Sequence, residues 1–272
     1  MVVPNYVLIP FEHWSPFRVT NLPAIGRLYK YVYRRYSKRW EKRIFKKPTR
    51  WIFDLFYHVF KLGGRGDFDL QLPLNIKNIS FDARKAHFSI LYLDDYMNYG
   101  YEPDVAGVLA WLLNGHRNGA FYDIGANWGF FSFYAATLKN FSGEIHAFEP
   151  TPDTFKDIES LIDQTQLEKR IKAYQIAISD LSGLVGMSAI DPLSSGVNRI
   201  LDGATDYFVE AVKLDELEIA RPNIIKIDVE EHEYQVLLGA KNILSSEKPF
   251  VIFENWLHPD PDHFLRPLRL ME

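Results

Sequence analysis

At 272 residues the chain is long enough to bury a full α/β core, most simply as one domain with an N-terminal extension. It contains no cysteine, which excludes disulfides, thiolate zinc sites and a cysteine nucleophile. The net charge of −4 conceals an asymmetry: Arg27 to Arg50 holds 11 Lys/Arg and a single acid, Glu41, leaving 20 basic and 34 acidic residues elsewhere.

The chain opens on an irregular stretch, residues 1–26, rich in proline and aromatic residues. No apolar run approaches the roughly 20 residues that span a bilayer, and Met1 to Phe17 carries three prolines and no sustained apolar core, unlike a signal peptide. A cytoplasmic protein is expected. Leu28, Val32, Tyr36, Trp40 and Ile44 recur every fourth residue, so 26–47 reads as a basic helix stopped by Pro48. A second, aromatic helix is expected over 50–61, with Thr49 as its cap and Gly63-Gly64 as its end. Three readings fit the basic, aromatic segment 27–61. It could dock its apolar stripe on the catalytic domain or a second subunit. It could lie on an anionic membrane surface, placing the protein peripherally on the inner face, or it could stack single-stranded bases. Alternation at Phe68, Leu70 and Leu72, at Ile79 and Phe81, and at Phe88, Ile90 and Tyr92 predicts short strands in a lead-in. The expected units are therefore a 1–66 arm, a 67–100 lead-in and a 101–272 catalytic domain. Pro103 suits the first turn of a helix running through Leu113.

The organising stretch follows. FYDIGANWGFF, Phe121 to Phe131, reads as a strand, an acid (Asp123), a turn with Gly125, Ala126, Asn127 and Gly129, and then a helix from Phe130 to Leu138. A dinucleotide fingerprint wants G-x-G-x-x-G with its acid well downstream. Here the acid lies on the strand itself, and the spacing points to an S-adenosylmethionine cradle. A second strand, Glu144 to Phe148, ends at Glu149, which suits the two hydroxyls of a ribose. A helix over Asp153–Leu167 leads to a third strand over Ile171–Ser179, closed by Ser179-Asp180, and Asn223 to Glu230 reads as a fourth. Glu233 to Ala240 follows, and then Lys248-Pro-Phe-Val-Ile-Phe-Glu254. Alternation of this kind implies a parallel sheet with helices on both faces.

In this order the blocks resemble the FkbM family of S-adenosylmethionine-dependent methyltransferases, over roughly Tyr101 to Asn255. The resemblance implies a Rossmann-like class I methyltransferase sheet binding S-adenosylmethionine and methylating a hydroxyl of a surface-glycan sugar or a secondary metabolite. Asp123, Gly125, Ala126, Asn127, Gly129, Glu149, Ser179, Asp180 and Asp228 are the expected cofactor residues. Sheets of this family usually end in a helix and an antiparallel hairpin. Only eighteen residues follow Glu254, with Pro259, Pro261 and Pro267 among them. The sheet is short, the chain is truncated, or the missing part is supplied elsewhere.

An alcohol acceptor must lose its proton, and the densest supply of titratable groups is Lys226 to Glu233. On a strand, Lys226, Asp228 and Glu230 share one face by the period of two, with His232 opening the next helix. Asp228, Glu230 and His232 are thus the catalytic candidates, although acids at a helix start are also stabilising without chemistry. Where the family pattern usually has glycine after Asp-Val-Glu, this chain has Glu231. Residues 181–212 break the alternation. Their loop, with Ser195, Asn198 and Arg199, is assigned with Lys226 and Glu254 to the acceptor, its plain alternative being a β-hairpin on the sheet edge. Lone histidines (His13, His58, His87) read as surface or packing residues, and no His/Asp/Glu set has metal spacing. The rival functions are a nucleic-acid methyltransferase using the basic arm and a non-catalytic protein that kept the cofactor fold. The former is disfavoured because Asp228-Val-Glu-Glu replaces an Asn/Asp-Pro-Pro-aromatic turn. A nicotinamide dehydrogenase fails on glycine spacing. Oligomeric state and acceptor identity stay open.

Overall fold

Near-continuous apolar runs at 120–124 and 222–227 are the signature of strands covered on both faces, and these form the centre of a five-stranded parallel sheet. The computed structural model describes residues 16–36, 64–92, 100–187, 206–254 and 261–270. The expected helix over 50–61 and the loop with Ser195, Asn198 and Arg199 lie outside these residues, as does the second half of the basic helix.

The chain begins with β1 (Phe17–Asn21) and α1 (Ala24–Tyr36), followed by β2 (Arg65–Gln71) and β3 (Ile76–Asp82). The three strands form an antiparallel sheet in which Phe17 faces Leu70 and Phe68 faces Ile79. The expected strand at Phe88, Ile90 and Tyr92 is instead a 3₁₀ turn, Ala86–Leu91. Strict alternation would turn Leu91 away from the core, yet Phe88, Leu91 and Tyr92 are all buried, as a helical turn allows.

The catalytic unit follows as α2 (Pro103–Gly115), β4 (Ala120–Ile124), α3 (Phe130–Thr137), β5 (Ile145–Phe148), α4 (Pro152–Thr165) and β6 (Ile171–Tyr174). Next come β7 (Ala177–Ile178), β8 (Gly183–Met187), β9 (Tyr207–Val212), β10 (Pro222–Ile227), α5 (Glu233–Leu238), α6 (Lys241–Ser246), β11 (Phe250–Phe253) and α7 (Pro261–Leu270). The sheet order is β11-β10-β4-β5-β6, parallel throughout. Helices cover both faces. Leu109, Phe133 and Ile158 of α2, α3 and α4 pack with Phe121 and Ile145 on one side. Val236, Leu237 and Ile243 of α5 and α6 pack with Tyr122 and Ile225 on the other.

Two expectations need correction. The third strand breaks after Tyr174: Ala177 and Ile178 leave the sheet edge and pair with β9, in a second small sheet ordered β7-β9-β8. Among the described residues of 181–212, β8 and β9 pair antiparallel in that second sheet and not on the edge of the parallel one. The C-terminal segment after β11 holds a helix, α7, and among the described residues the parallel sheet ends with β11.

The lead-in is not a separate body. Phe17, Phe68 and Phe88 close around Trp128 with ring centroids 5.5, 6.5 and 5.2 Å away. Gln164 of α4 completes the β3 edge, accepting from the Ser80 N–H at 2.7 Å and donating to its carbonyl at 3.2 Å. The Lys85 ammonium holds both oxygens of Asp157 at 2.6 Å. The lead-in thereby fixes the back of the glycine turn.

Candidate active site

In the order β11-β10-β4-β5-β6, strand connections run in opposite directions on the two sides of β4, so a crevice opens at the carboxyl ends of β4 and β10. A cleft of about 370 Å³ lies there. It is lined by the 125–128 turn, by Glu149 to Thr151, by Ile176 to Ile178, and by Asp228 to Glu230 with His232 and Glu254.

The turn is built by its backbone. The N–H groups of Gly125 and Ala126 both donate to the Phe148 carbonyl at 3.0 Å, tying the end of β4 to β5. Gly125 (φ 76°), Asn127 (φ 54°) and Gly129 (φ 90°) all take left-handed conformations. A Cβ on Gly125 would fall 1.9 Å from the Asp228 carbonyl oxygen, so glycine there lets β10 close against the turn. Asn127 tolerates its conformation by accepting the Trp128 N–H on its own side chain at 2.8 Å.

Glu149 is buried and accepts the N–H groups of Asn127 and Thr151, each at 2.9 Å. Burial raises its pKa and those two hydrogen bonds partly oppose the rise. Asp123, expected in the cradle, stands behind the cleft wall, 1% exposed. Its Oδ2 accepts from Ser132 at 2.7 Å, fixing the first turn of α3, while Oδ1 has no hydrogen-bond partner and lies 4.0 Å from the Lys226 ammonium. Lys226 is itself buried, bonded to Asp228 at 3.0 Å and seated 4.6 Å over the Phe131 ring. Burial works to lower the lysine's pKa, but the charges of Asp228 and Asp123 outweigh it and the net direction is up. Asp123 is raised by its own desolvation against the pull of Lys226. The ammonium expected at the acceptor is thus already engaged between two carboxylates.

β10 ends at Ile227, so the period of two does not extend to Glu230. Glu230 (φ 51°) and Glu231 (φ 72°) are successive left-handed residues, and Asp228 and Glu230 both line the cleft across that kink. The Glu231 side chain is exposed, so the glycine usual at this place answers a backbone demand and not a close approach. Glu231→Gly is expected to raise stability by about 0.5–1 kcal/mol, relieving left-handed strain against the extra chain entropy of glycine; equal or lower stability in urea melts would refute this. His232 precedes α5 and lines the cleft, with Nε2 2.9 Å from the Ser179 hydroxyl. Ser179 and Asp180 do not line it; their neighbours Ile176, Ala177 and Ile178 do. His87, read as packing, lines the mouth while bonded at 3.0 Å to Asp157.

Sequence reasoning missed Glu102, Tyr101 and Phe130, which form the wall nearest α2. The signal was present in Tyr101-Glu102-Pro103, since proline after an acid marks a helix start that carries a side chain to the sheet's ligand end. Five carboxylates (Glu102, Glu149, Asp228, Glu230, Glu254) and one lysine line the cleft among the described residues. An acidic wall of this kind suits a ligand that carries positive charge, as a sulfonium with an ammonium does. The glycine that admits β10, the two left-handed neighbours and a buried carboxylate at the tip of β5 fit S-adenosylmethionine. Glu149 would hold the ribose, Ile176 to Ile178 would flank the adenine, and the acidic wall would face the sulfonium. No metal-holding group of three or more His, Asp or Glu occurs among the described residues. No described helix is long and apolar enough to cross a membrane.

Comparison with known proteins gives three findings. The model of the methyltransferase FkbM domain matches residues 123–269. A hexuronic acid methyltransferase, AglP, of Haloferax volcanii is 30% identical over 164 residues, covering 59% of this chain and 64% of that protein. The chain thus spans less than two thirds of that relative's length. Among solved structures, an FkbM methyltransferase from Methylobacillus flagellatus aligns over 50% of this chain and 32% of its own, at 18% identity and a TM-score of 0.39. A precorrin-6y C5,15-methyltransferase from Geobacter metallireducens aligns over 62% and 68%, at 16% identity and a TM-score of 0.38.

Proposed function

We propose that this chain, which belongs to the FkbM methyltransferase family, methylates a hydroxyl oxygen of a sugar. The cofactor of the family is S-adenosylmethionine, which supplies an activated methyl group on sulfur. The observation that carries the reading is the acidic cleft at the carboxyl ends of β4, β5 and β10, closed by Gly125 against Asp228. The protein's contribution there is positioning and charge. Glu149 anchors one end of the donor through hydrogen bonds that the glycine turn has already fixed, so little is lost in ordering it. Asp228 and Lys226 hold a fixed field beside the reacting end. Tyr101, half-buried at the cleft wall and backed by Phe130 with ring centroids 4.9 Å apart, offers an aromatic surface of the sort that sugar rings lie against. The sugar acceptor class is supported by the hexuronic acid methyltransferase among its relatives.

The test is calorimetric titration with S-adenosylmethionine and S-adenosylhomocysteine, followed by methyl transfer to a panel of neutral and uronic acid glycosides. Micromolar binding is expected, weakened at least tenfold in Glu149→Ala. Alkali-stable methyl ether on the product would support hydroxyl transfer. An alkali-labile ester would place the methyl on a sugar carboxylate and overturn the hydroxyl assignment.

A further inference from the structure

We propose that Glu102 is a catalytic residue, whose carboxylate takes the proton of the acceptor hydroxyl from the α2 wall of the cleft. The inference rests on the reading of the site as a sugar O-methyltransferase and deepens it.

Three observations converge on this side chain. Glu102 is a non-glycine residue at φ 41°, ψ 61°, and Pro103 follows it, which restricts its backbone further. Strain of this kind persists where surrounding structure over-determines it, and it concentrates at functional sites. Second, Glu102 occupies the N-cap position of α2 yet makes no side-chain capping hydrogen bond; only its carbonyl takes up a helix N–H, that of Ala106 at 2.9 Å. Glu102 lines the cleft instead. Third, two of the other four cleft carboxylates are committed to bonds that hold the site together, leaving Glu230 and Glu254 as the rivals. Asp228 accepts from Lys226, Glu149 accepts from two backbone N–H groups, and Asp123 is enclosed behind the wall.

The groups facing Glu102 are Lys226 and Asp228 of β10 and its end, Asp123 of β4, and the Tyr101 hydroxyl, which hydrogen-bonds to it. Burial raises its pKa, Lys226 opposes the rise, and Asp228 adds to it. A carboxylate with raised proton affinity is a stronger base toward an alcohol than an ordinary one. In the step, the acceptor oxygen forms its bond to the methyl carbon as the carbon–sulfur bond breaks. The hydroxyl proton passes to Glu102 and the donor leaves as a neutral thioether. The proton is then released to solvent.

Glu102→Gln keeps size and shape, and its effect is read on the full chain in two ways. Calorimetry with S-adenosylmethionine should give binding within threefold of wild type. Turnover on the glycosides of the panel should fall at least a hundredfold in kcat. The wild-type rate should rise with pH through a range above that of ordinary carboxylates, since the base works ionised, and the variant should lose that limb. A melting temperature equal to wild type would exclude unfolding as the cause, and Glu102→Gly, which relieves the left-handed backbone, provides a second folded variant. Turnover of Glu102→Gln within threefold of wild type overturns the assignment. So does a tenfold loss of S-adenosylmethionine affinity, which would make Glu102 a counter-ion to the donor, or the same loss of turnover and acid limb on substituting Glu230 or Glu254 in its place. Failure of the wild-type chain to bind S-adenosylmethionine would overturn the functional reading, and the assignment with it.

Discussion

Gly125→Ala is expected to weaken S-adenosylmethionine binding at least a hundredfold, about 2.7 kcal/mol in binding free energy. Two penalties act together. The alanine would have to hold φ near 76°, a left-handed conformation that costs an L-residue roughly 1–2 kcal/mol. Its Cβ would also fall 1.9 Å from the Asp228 carbonyl oxygen, with the carbonyl carbon at 2.8 Å. These are backbone atoms, so no rotamer change relieves the overlap. The end of β10 must retreat from the end of β4, breaking the 3.0 Å bond from the Asp228 N–H to the Ile124 carbonyl. It carries the Asp228 carboxylate and Lys226 with it. Gly129→Ala is the internal control. Its φ of 90° imposes comparable strain, but the Cβ would meet side-chain atoms only, Ile158 Cδ1 at 2.8 Å and Cγ1 at 2.9 Å, so the overlap falls on the packing of α4 and leaves β10 in place. Calorimetry and thermal melts on both variants separate the cases. Wild-type affinity in Gly125→Ala would show that closure of β10 on the turn is not what forms the cradle.

That comparison also marks how far the sequence could be read. The glycine turn, the strand before it and the acid at the tip of β5 follow from local pattern, because glycine and asparagine are the residues that take positive φ most readily. The parallel sheet was legible from pattern as well: short apolar runs alternating with helices have few other arrangements. The role of Asp123 was not. An acid at the end of a strand can face a ligand or turn back onto its own helix, and only Ser132, nine residues later, decides for the latter. The face shared by Asp228 and Glu230 was argued from a period of two that ends at Ile227, and the left-handed pair at 230–231 places them by another route. His87 and Glu102 illustrate the long-range limit. Both precede the catalytic blocks; Tyr101-Glu102-Pro103 marks a helix start, but nothing local shows that the 3₁₀ turn folds back over the cleft mouth. Packing of Phe17, Phe68 and Phe88 on Trp128 settles that, and it joins segments 40 to 111 residues apart.

Lys226→Met is expected to destabilise the chain by about 3–5 kcal/mol, the cost of leaving a buried charge without its partner. Methionine matches the length and most of the volume of lysine and keeps the contact with Phe131, so little of the loss comes from packing. What disappears is the ammonium set between Asp228 at 3.0 Å and Asp123 at 4.0 Å. Asp123 is 1% exposed and would be left with Ser132 alone. Asp123 is too enclosed for water to take the lysine's place beside it, and the two carboxylates repel each other. The pH dependence has a definite sign. Burial already raises the pKa of Asp123, and removing the cation raises it further. An acid with a folded pKa above its unfolded one holds more protons when folded, so stability falls as pH rises between the two values. The deficit of Lys226→Met is therefore greatest above the raised Asp123 pKa and shrinks as pH falls toward the ordinary carboxylate range. In the wild type, the lysine's contribution is full below its unfolded pKa and fades only as pH climbs through its raised folded value, in strongly alkaline solution. Urea melts at pH 8 and pH 5 should show a gap between wild type and variant that narrows at the lower pH. Adding Asp123→Asn to Lys226→Met should recover part of the loss at pH 8, because the amide keeps the contact with Ser132 and removes the charge. A gap that does not change with pH, together with no recovery in the double variant, would mean that Lys226 acts through its aliphatic stem on Phe131 and not through its charge.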